Sequence, residues 1–184
     1  MPARLARMLA PLVAVCVAAC NPQAPKSAPS PHPHGTPHAK NTPLVFVVTG
    51  KGTANRPVHV VQQVHNRVNY DLVASSYESK GPQNGMRSVF SDARVTFRDP
   101  KGSTIAASAP QAVVDQTANT VTMTGGVAAR TAAGMTLHCD ELVYRRGNAS
   151  LHGDGNVVIT DPKGFRATGS SFDSDISLTH MRMQ

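Results

Sequence analysis

The chain has 184 residues, of which 40% are apolar and only eight are aromatic, with no tryptophan, so one domain with tails is expected. The formal net charge is +7, but residues 44–184 hold 14 Lys and Arg against 11 Asp and Glu, which leaves more than half of the excess in the first 43 residues. Because the later cations are scattered and form no stripe that follows a phosphate backbone, the charge pattern speaks against nucleic-acid binding.

Residues 1–19 have the pattern of an export signal, with Arg4 and Arg7 followed by an apolar run over 8–19 that ends in small side chains. A spanning helix needs roughly 20 apolar residues, so this run is too short to cross a bilayer. Its end, Val-Ala-Ala-Cys20, resembles the lipobox of bacterial lipoproteins, which implies cleavage before Cys20 and acylation of its thiol. The alternative is an ordinary secretory signal with an incidental cysteine.

Residues 20–43 are predicted to be a flexible linker behind this lipid anchor. Seven of the fourteen prolines of the chain lie in it, three histidines are interspersed, and it has no aromatic residue that could join a core. Such a composition favours an extended, mobile spacer. The remaining residues, 44–184, form the predicted domain, and Cys139 is its only thiol, so packing without an internal disulfide must hold it together.

From residue 44 onward, apolar and polar residues alternate, which predicts an all-β domain with one dry and one wet face. Turn residues separate the alternating runs, and the tetrapeptide Asp-Pro-Lys-Gly occurs twice, at 99–102 and 161–164. Gly134 occupies the corresponding place between these copies, so turns recur about every 30 residues. The valines that begin the associated runs are spaced by 32 and 30 residues, namely Val95, Val127 and Val157. This period predicts a stacked β array.

The segment from Phe172 to Met183 still alternates and is predicted to be an edge strand at the end of the array. A free strand edge exposes unpaired N–H and C=O groups, which can pair with another chain. The sequence therefore predicts head-to-tail assembly through sheet edges.

The chain contains the stretches YDLVASSYES from Tyr70, SVFSDARVTFRDPKGSTIAA from Ser88, and a segment from Val121 to Gly169 that includes LHCDELVY and GDGNVVITDPKG. Together these stretches resemble the LptC family, the periplasmic component of the lipopolysaccharide export machinery. The pattern also recurs in relatives of the LptA/OstA type and covers roughly Val60 to Met183. It departs from LptC in its attachment, since LptC is commonly held by one transmembrane helix and this leader ends in a lipobox-like cysteine.

The resemblance implies an elongated, V-shaped antiparallel β-jellyroll whose apolar groove shelters the acyl chains of lipopolysaccharide or a similar lipid. The residues expected to line the groove are Phe97, Met123, Leu137, Leu151, Ile159 and Phe165. It also implies one edge docked to the inner-membrane ABC transporter subunits and another, carrying Phe172, Ile176 and Leu178, docked to a periplasmic LptA-like protein. The protein is then expected in the periplasm, anchored in a membrane, with the inner membrane favoured and the outer membrane as the alternative.

No enzyme, metal or cofactor chemistry is indicated by the residues. Cys139 lies on the inward face of its predicted strand without a His and Asp constellation, and a buried apolar thiol is inert. His138 and His152 fall on the wet face. Two alternatives to a lipid carrier of the LptC type stay open, namely a bridge component of the LptA/OstA type and a structural or adhesive β-repeat lipoprotein of the cell surface with a closed core.

Overall fold

The computed structural model describes residues 45–82 and 85–184, and every regular element in these two segments is a β-strand. The strands in chain order are β1 (Phe46–Lys51), β2 (Val58–Val64), β3 (Arg67–Ala74), β4 (Ser76–Gly81), β5 (Arg87–Arg98), β6 (Thr104–Asp115), β7 (Thr120–Thr131), β8 (Thr136–Arg145), β9 (Ser150–Thr160), β10 (Arg166–Asp175) and β11 (Met181–Met183). All pair antiparallel in one sheet that does not close on itself. The all-β prediction is confirmed, and the sheet is consistent with an elongated β-jellyroll.

The six strands from β5 to β10 are long, and each is interrupted near its middle. The pairing register breaks around residue 92 in β5, 109–110 in β6, 125–126 in β7, 139–140 in β8, 155–156 in β9 and 170 in β10. Asp92, Gly125, Gly126 and Asn156 have positive φ at these places, as is typical of bulges that bend a strand sharply. Alternating runs on the two sides of a break, such as 136–139 and 141–145 in β8, are therefore the two halves of one bent strand.

The aligned bends fold the sheet into two layers. Layer 1 contains β1, β4, β11 and the long-strand halves 87–91, 111–115, 120–124, 141–145, 150–154 and 171–175. Layer 2 contains β2, β3 and the halves 93–98, 104–109, 127–131, 136–139, 157–160 and 166–169. β3 and β4 behave like one bent strand, because they pair with different halves of β5 and are separated only by Ser75.

The 30-residue period corresponds to one hairpin of two long strands. The valines that mark it, Val95, Val127 and Val157, are buried and lie between the bends of β5, β7 and β9 and the turns that follow, not at the beginnings of strands. Each precedes the glycine of its turn by seven residues. The glycines that follow, Gly102, Gly134 and Gly164, have φ of 93°, 90° and 93° in the turns at the free end of layer 2. This left-handed conformation favours glycine, which explains why Gly persists in all three turns.

The two Asp-Pro-Lys-Gly turns are held by the same side-chain contacts. Asp99 Oδ1 accepts the backbone N–H groups of Lys101 and Ser103, both at 2.8 Å. Asp161 Oδ1 accepts those of Lys163 and Phe165, also at 2.8 Å. In the third turn Thr131 takes this place, and its Oγ1 accepts the N–H of Met135 at 3.1 Å. The third turn therefore keeps one of the two side-chain-to-backbone hydrogen bonds, although its sequence departs from the tetrapeptide.

Candidate lipid-binding interior and sheet edges

Alternate residues of both layers point into the space between them and form one continuous apolar cluster. Five of the six predicted lining residues lie there, each 0% exposed, namely Phe97, Met123, Leu137, Leu151 and Ile159. Leu137 is directly opposite Ile159 across the β8–β9 pair. The interior is filled by these side chains, because the two layers approach closely enough for them to pack on one another.

Phe165 differs from its expected placement. It lies in the turn between β9 and β10, outside both strands, and 58% of it is exposed. Its N–H and C=O are both engaged by Asp161, whose backbone N–H donates to the Phe165 carbonyl at 2.9 Å. Closing the turn in this way places the residue at the tip of layer 2 and not on the inward face.

Three aromatic side chains join the two layers at their free ends. The ring centroids of Phe97 in layer 2 and Tyr144 in layer 1 are 4.5 Å apart, and Tyr70 meets Phe97 edge-on at 6.4 Å. Burial raises the pKa of both tyrosines, an effect that the nearby Arg146 guanidinium partly offsets. We call Tyr70, Phe97 and Tyr144 the aromatic closure. Sequence reasoning missed its two tyrosines, since their proximity follows from the bends.

The cationic side chain of Arg146 lies beside this closure. It donates from Nη2 to the side chain of Asn119, while its Nε is buried and has no hydrogen-bond partner. Outside the closure is a cavity of 480 Å³ that Arg67, Arg98 and Arg146 line together with the β2–β3, β5–β6 and β8–β9 turns. The end of the interior opposite the bends is therefore apolar within and cationic outside.

The first edge of the sheet is apolar and exposed. Val45, Phe46, Val47 and Val48, at and before the beginning of β1, are each between 44% and 60% exposed. β1 pairs on one side only, with β4. A strand with an unpaired edge and apolar side chains on both faces is a ready surface for pairing with another strand. Sequence reasoning did not assign this edge strand, although the unbroken Val-Phe-Val-Val run is a signal that could have indicated it.

The other edge differs from the single strand expected over Phe172 to Met183. β10 ends at Asp175, the chain turns, and β11 folds back to pair with residues 172–174. Phe172, Ile176 and Leu178 are at most 1% exposed, so they belong to the core and not to an open edge. The residues of β10 that have no strand on their outer side are 166–169, in layer 2.

The turn between β10 and β11 is organised by Asp175. Its Oδ1 accepts the Ser177 hydroxyl at 2.9 Å and the Thr179 N–H at 3.1 Å, and its Oδ2 lies 3.1 Å from His180 Nδ1. Partial burial raises the pKa of this carboxyl, but the hydrogen bonds from His180, Ser177 and Thr179 outweigh it and lower the pKa to about 2. Leu178, at φ 58°, tucks its side chain into the core at the same time.

Cys139 is 4% exposed within the core, and burial, reinforced by Asp140, Asp154 and Glu141, raises the pKa of its thiol to about 12. Residues 45–82 and 85–184 contain no group of three side chains placed to hold a metal ion. The same segments contain no helix long and apolar enough to cross a membrane. Cys20, the predicted lipid anchor, and the boundaries at 19 and 43 lie outside the described residues.

Profiles of known protein families give no match to the chain, and no curated protein matches its sequence.

Proposed function

We propose that the protein is a non-catalytic lipid carrier of the bacterial cell envelope that works in the manner of LptC. In this role it receives lipopolysaccharide from an inner-membrane ABC transporter and passes it to a periplasmic bridge protein, while an acylated Cys20 holds it at the membrane. The observation that carries the proposal is the interior between two layers of one bent, unclosed sheet, lined by aliphatic and aromatic side chains. The resemblance of residues 60–183 to LptC supplies the identity of the lipid.

Acyl chains would enter by separating the layers at the aromatic closure. At the bends each long strand runs from one layer into the other, so the layers cannot separate there without breaking the pairing between neighbouring strands. At the aromatic closure, Phe97 and Tyr144 hold the layers together only through side-chain contact. Each methylene transferred from water to the interior gains about 0.8 kcal/mol. A chain of a dozen methylenes gains on the order of 10 kcal/mol, enough to offset a few displaced side-chain contacts.

Two strand edges would serve as the partner surfaces of such a relay. The exposed apolar β1 suits strand addition to the transporter subunits, and the unpaired residues 166–169 of β10 suit addition of an LptA-like strand. Backbone hydrogen bonds would continue layer 1 across the joint at β1 and layer 2 across the joint at β10. A bridge component of the LptA/OstA type would use the same edges, and a stable complex with the transporter distinguishes the LptC role.

Site-specific photo-crosslinking tests lipid carriage. An aliphatic diazirine residue in place of Leu137 reports on the interior, and the same residue in place of Val143 is the control, because that side chain is not buried and points to the outer face of layer 1 on the same strand. In envelopes that make lipopolysaccharide, we expect lipid adducts at Leu137 and few at Val143. Equal labelling at both positions, or none at Leu137 while the variant remains folded, would refute the proposal.

A structural β-repeat protein of the cell surface is the second candidate. The complete burial of the interior side chains favours it, since a closed core needs no ligand. Native mass spectrometry of protein extracted in mild detergent separates the two functions. Copurified lipid of defined mass supports the carrier, and bare protein from lipid-rich envelopes under all mild conditions supports the structural role.

A further inference from the structure

The outer faces of the two layers carry opposite charge. Layer 2 and its tip turns hold seven exposed cations, Arg67, Arg94, Arg98, Lys101, Arg130, Lys163 and Arg166, against three carboxylates, Asp71, Asp99 and Asp161. Layer 1 holds five cations, Lys51, Lys80, Arg87, Arg145 and Arg182, against six carboxylates, Glu78, Asp115, Glu141, Asp154, Asp173 and Asp175. These counts leave out the bends and loops, where Asp92, Asp140, Arg56 and Arg146 lie and cancel one another, and they give formal charges of +4 for layer 2 and −1 for layer 1.

The carboxylates of layer 2 do not neutralise its arginines. Asp71 lies 2.7 Å from His59 Nε2, and one oxygen of both Asp99 and Asp161 accepts backbone N–H groups within its turn. Across the described segments, Arg87 is the one Lys or Arg within 4.0 Å of a carboxylate, and it belongs to layer 1. The cations of layer 2 are therefore available to an external anion.

Two of these arginines flank a trough on the outer face. The pairing register places Ser108 of β6 beside Arg94 of β5, and Ala106 beside Arg130 of β7. Both arginines line one cavity of 770 Å³ together with small side chains such as Ala106 and Ser108. His138 of β8 and Asp71 of β3 also line it, and the Asp71 carboxylate lies 2.7 Å from His59 Nε2. Because guanidinium groups recognise phosphate with paired hydrogen bonds, the trough suits a phosphate-bearing head group.

The tip of layer 2 adds an apolar contact to this basic face. Phe165, the most exposed phenylalanine of the described chain at 58%, lies between Lys163 and Arg166 in the β9–β10 turn. An exposed aromatic side chain among cations is characteristic of surfaces that rest in a lipid head-group region. A soluble acidic partner would need the charges but not this residue.

We infer that the outer face of layer 2 docks onto a membrane leaflet of anionic phospholipid, with the Arg94–Arg130 trough taking a head-group phosphate and Phe165 entering the interface. Each basic residue near such a leaflet raises partitioning about fivefold. The predicted linker, residues 20–43, would keep the domain within reach of the membrane that holds Cys20. This inference concerns orientation at the membrane and holds whether or not the interior carries lipid.

Lysine acylation of the full chain in vesicles tests this orientation. Lys101 and Lys163 report on layer 2, and Lys51 and Lys80 report on layer 1 within the same molecule. On vesicles containing phosphatidylglycerol, we expect a water-soluble acylating reagent to modify the layer 2 lysines at least about threefold more slowly than on phosphatidylcholine vesicles. The layer 1 lysines should keep their rates, and high salt should remove the difference, because exposed charges are screened.

Two triple variants with the same net charge complete the experiment. Arg94→Gln/Arg98→Gln/Arg130→Gln should lose the protection of Lys101 and Lys163, and Arg87→Gln/Arg145→Gln/Arg182→Gln should keep it. Protection that survives in the first variant, or that covers all four lysines equally, overturns the inference. Protection by soluble polyglutamate but not by anionic vesicles also overturns it, in favour of an acidic protein partner.

Discussion

Replacement of Gly153 by alanine is expected to destabilise the fold, because the Phe172 ring occupies the space beside it. Gly153 of β9 is directly opposite Phe172 of β10. A Cβ added to Gly153 would lie 2.0 Å from Cε1 and 2.6 Å from Cδ1 of that ring. An ordinary contact needs about 3.4 Å, so a ring that is 1% exposed would have to move by more than about 1 Å within a packed core.

Overpacking of this size costs about 1–3 kcal/mol, and the intrinsic preference of a strand for Ala over Gly returns about 0.5 kcal/mol. Gly153→Ala should therefore lower the free energy of unfolding by about 1.5 kcal/mol. In a Phe172→Leu background, the smaller side chain leaves room for the methyl group, and the same substitution should cost less than about 0.5 kcal/mol. The two changes should thus couple by at least about 1 kcal/mol.

The free energies of unfolding would be measured for the four proteins of this cycle by urea denaturation, followed by far-ultraviolet circular dichroism. Gly147→Ala is the control, because Gly147 has nothing within 4 Å of an added Cβ and lacks a positive φ, so its stability should stay within about 0.5 kcal/mol of the parent. Strictly additive effects of Gly153→Ala and Phe172→Leu would show that the β9–β10 register described above is wrong.

Three further predictions concern single side chains. Asp175→Asn should destabilise the protein by about 1 kcal/mol at neutral pH, a value reduced because the side chain is 37% exposed. Since the pKa of Asp175 in the folded protein is about 2, the stability difference between the parent and the variant should persist above about pH 4 and disappear as the pH falls towards 2. Urea denaturation across that pH range measures this difference. Asp161→Ala removes the acceptor of two backbone N–H groups and should lower the unfolding free energy by about 1–2 kcal/mol, measured in the same way. Cys139 should resist aromatic disulfide reagents at pH 8 in native protein and react within minutes in urea, since the folded structure keeps its pKa near 12; rapid native reaction would place the thiol at the surface.

Alternation and turn chemistry were enough to predict the sheet. The positions of Leu137, Ile159 and Val157 on the dry face follow from a two-residue period, which depends only on strand geometry. The Asp-Pro-Lys-Gly turns were equally predictable, because Asp, Pro and Gly act on their own backbone. These features are local, so a single sequence contains them in full.

The bends were not predictable in the same way. In β8 the inward residues change from odd to even positions between Cys139 and Leu142, which looks like the end of one strand and the start of another. Only the alignment of such breaks in neighbouring strands shows that they form one fold line. The aromatic closure depends on that line, since Phe97 and Tyr144 are brought together across strands that are not neighbours.

In the C-terminal segment, the backbone conformation of one residue, Leu178, makes the apolar–polar alternation a misleading sign of a strand. Alternation continues through Ile176 and Leu178, but Leu178 adopts a left-handed backbone conformation while Asp175 gathers the polar groups of the turn. The side chains of Ile176 and Leu178 would be buried in an edge strand and are also buried in the turn that the structure contains. Side-chain polarity alone therefore could not distinguish an edge strand from a hairpin.

Because both strands of every hairpin bend at the same line, each hairpin crosses both layers and adds a fixed width to the sheet. Insertion of one more hairpin of about 30 residues between β7 and β8 would add one step to the fold line while leaving the first and last edges unchanged. The protein could then grow or shrink as a spacer by duplication or deletion of whole hairpins, and its terminal surfaces would diverge independently of its span.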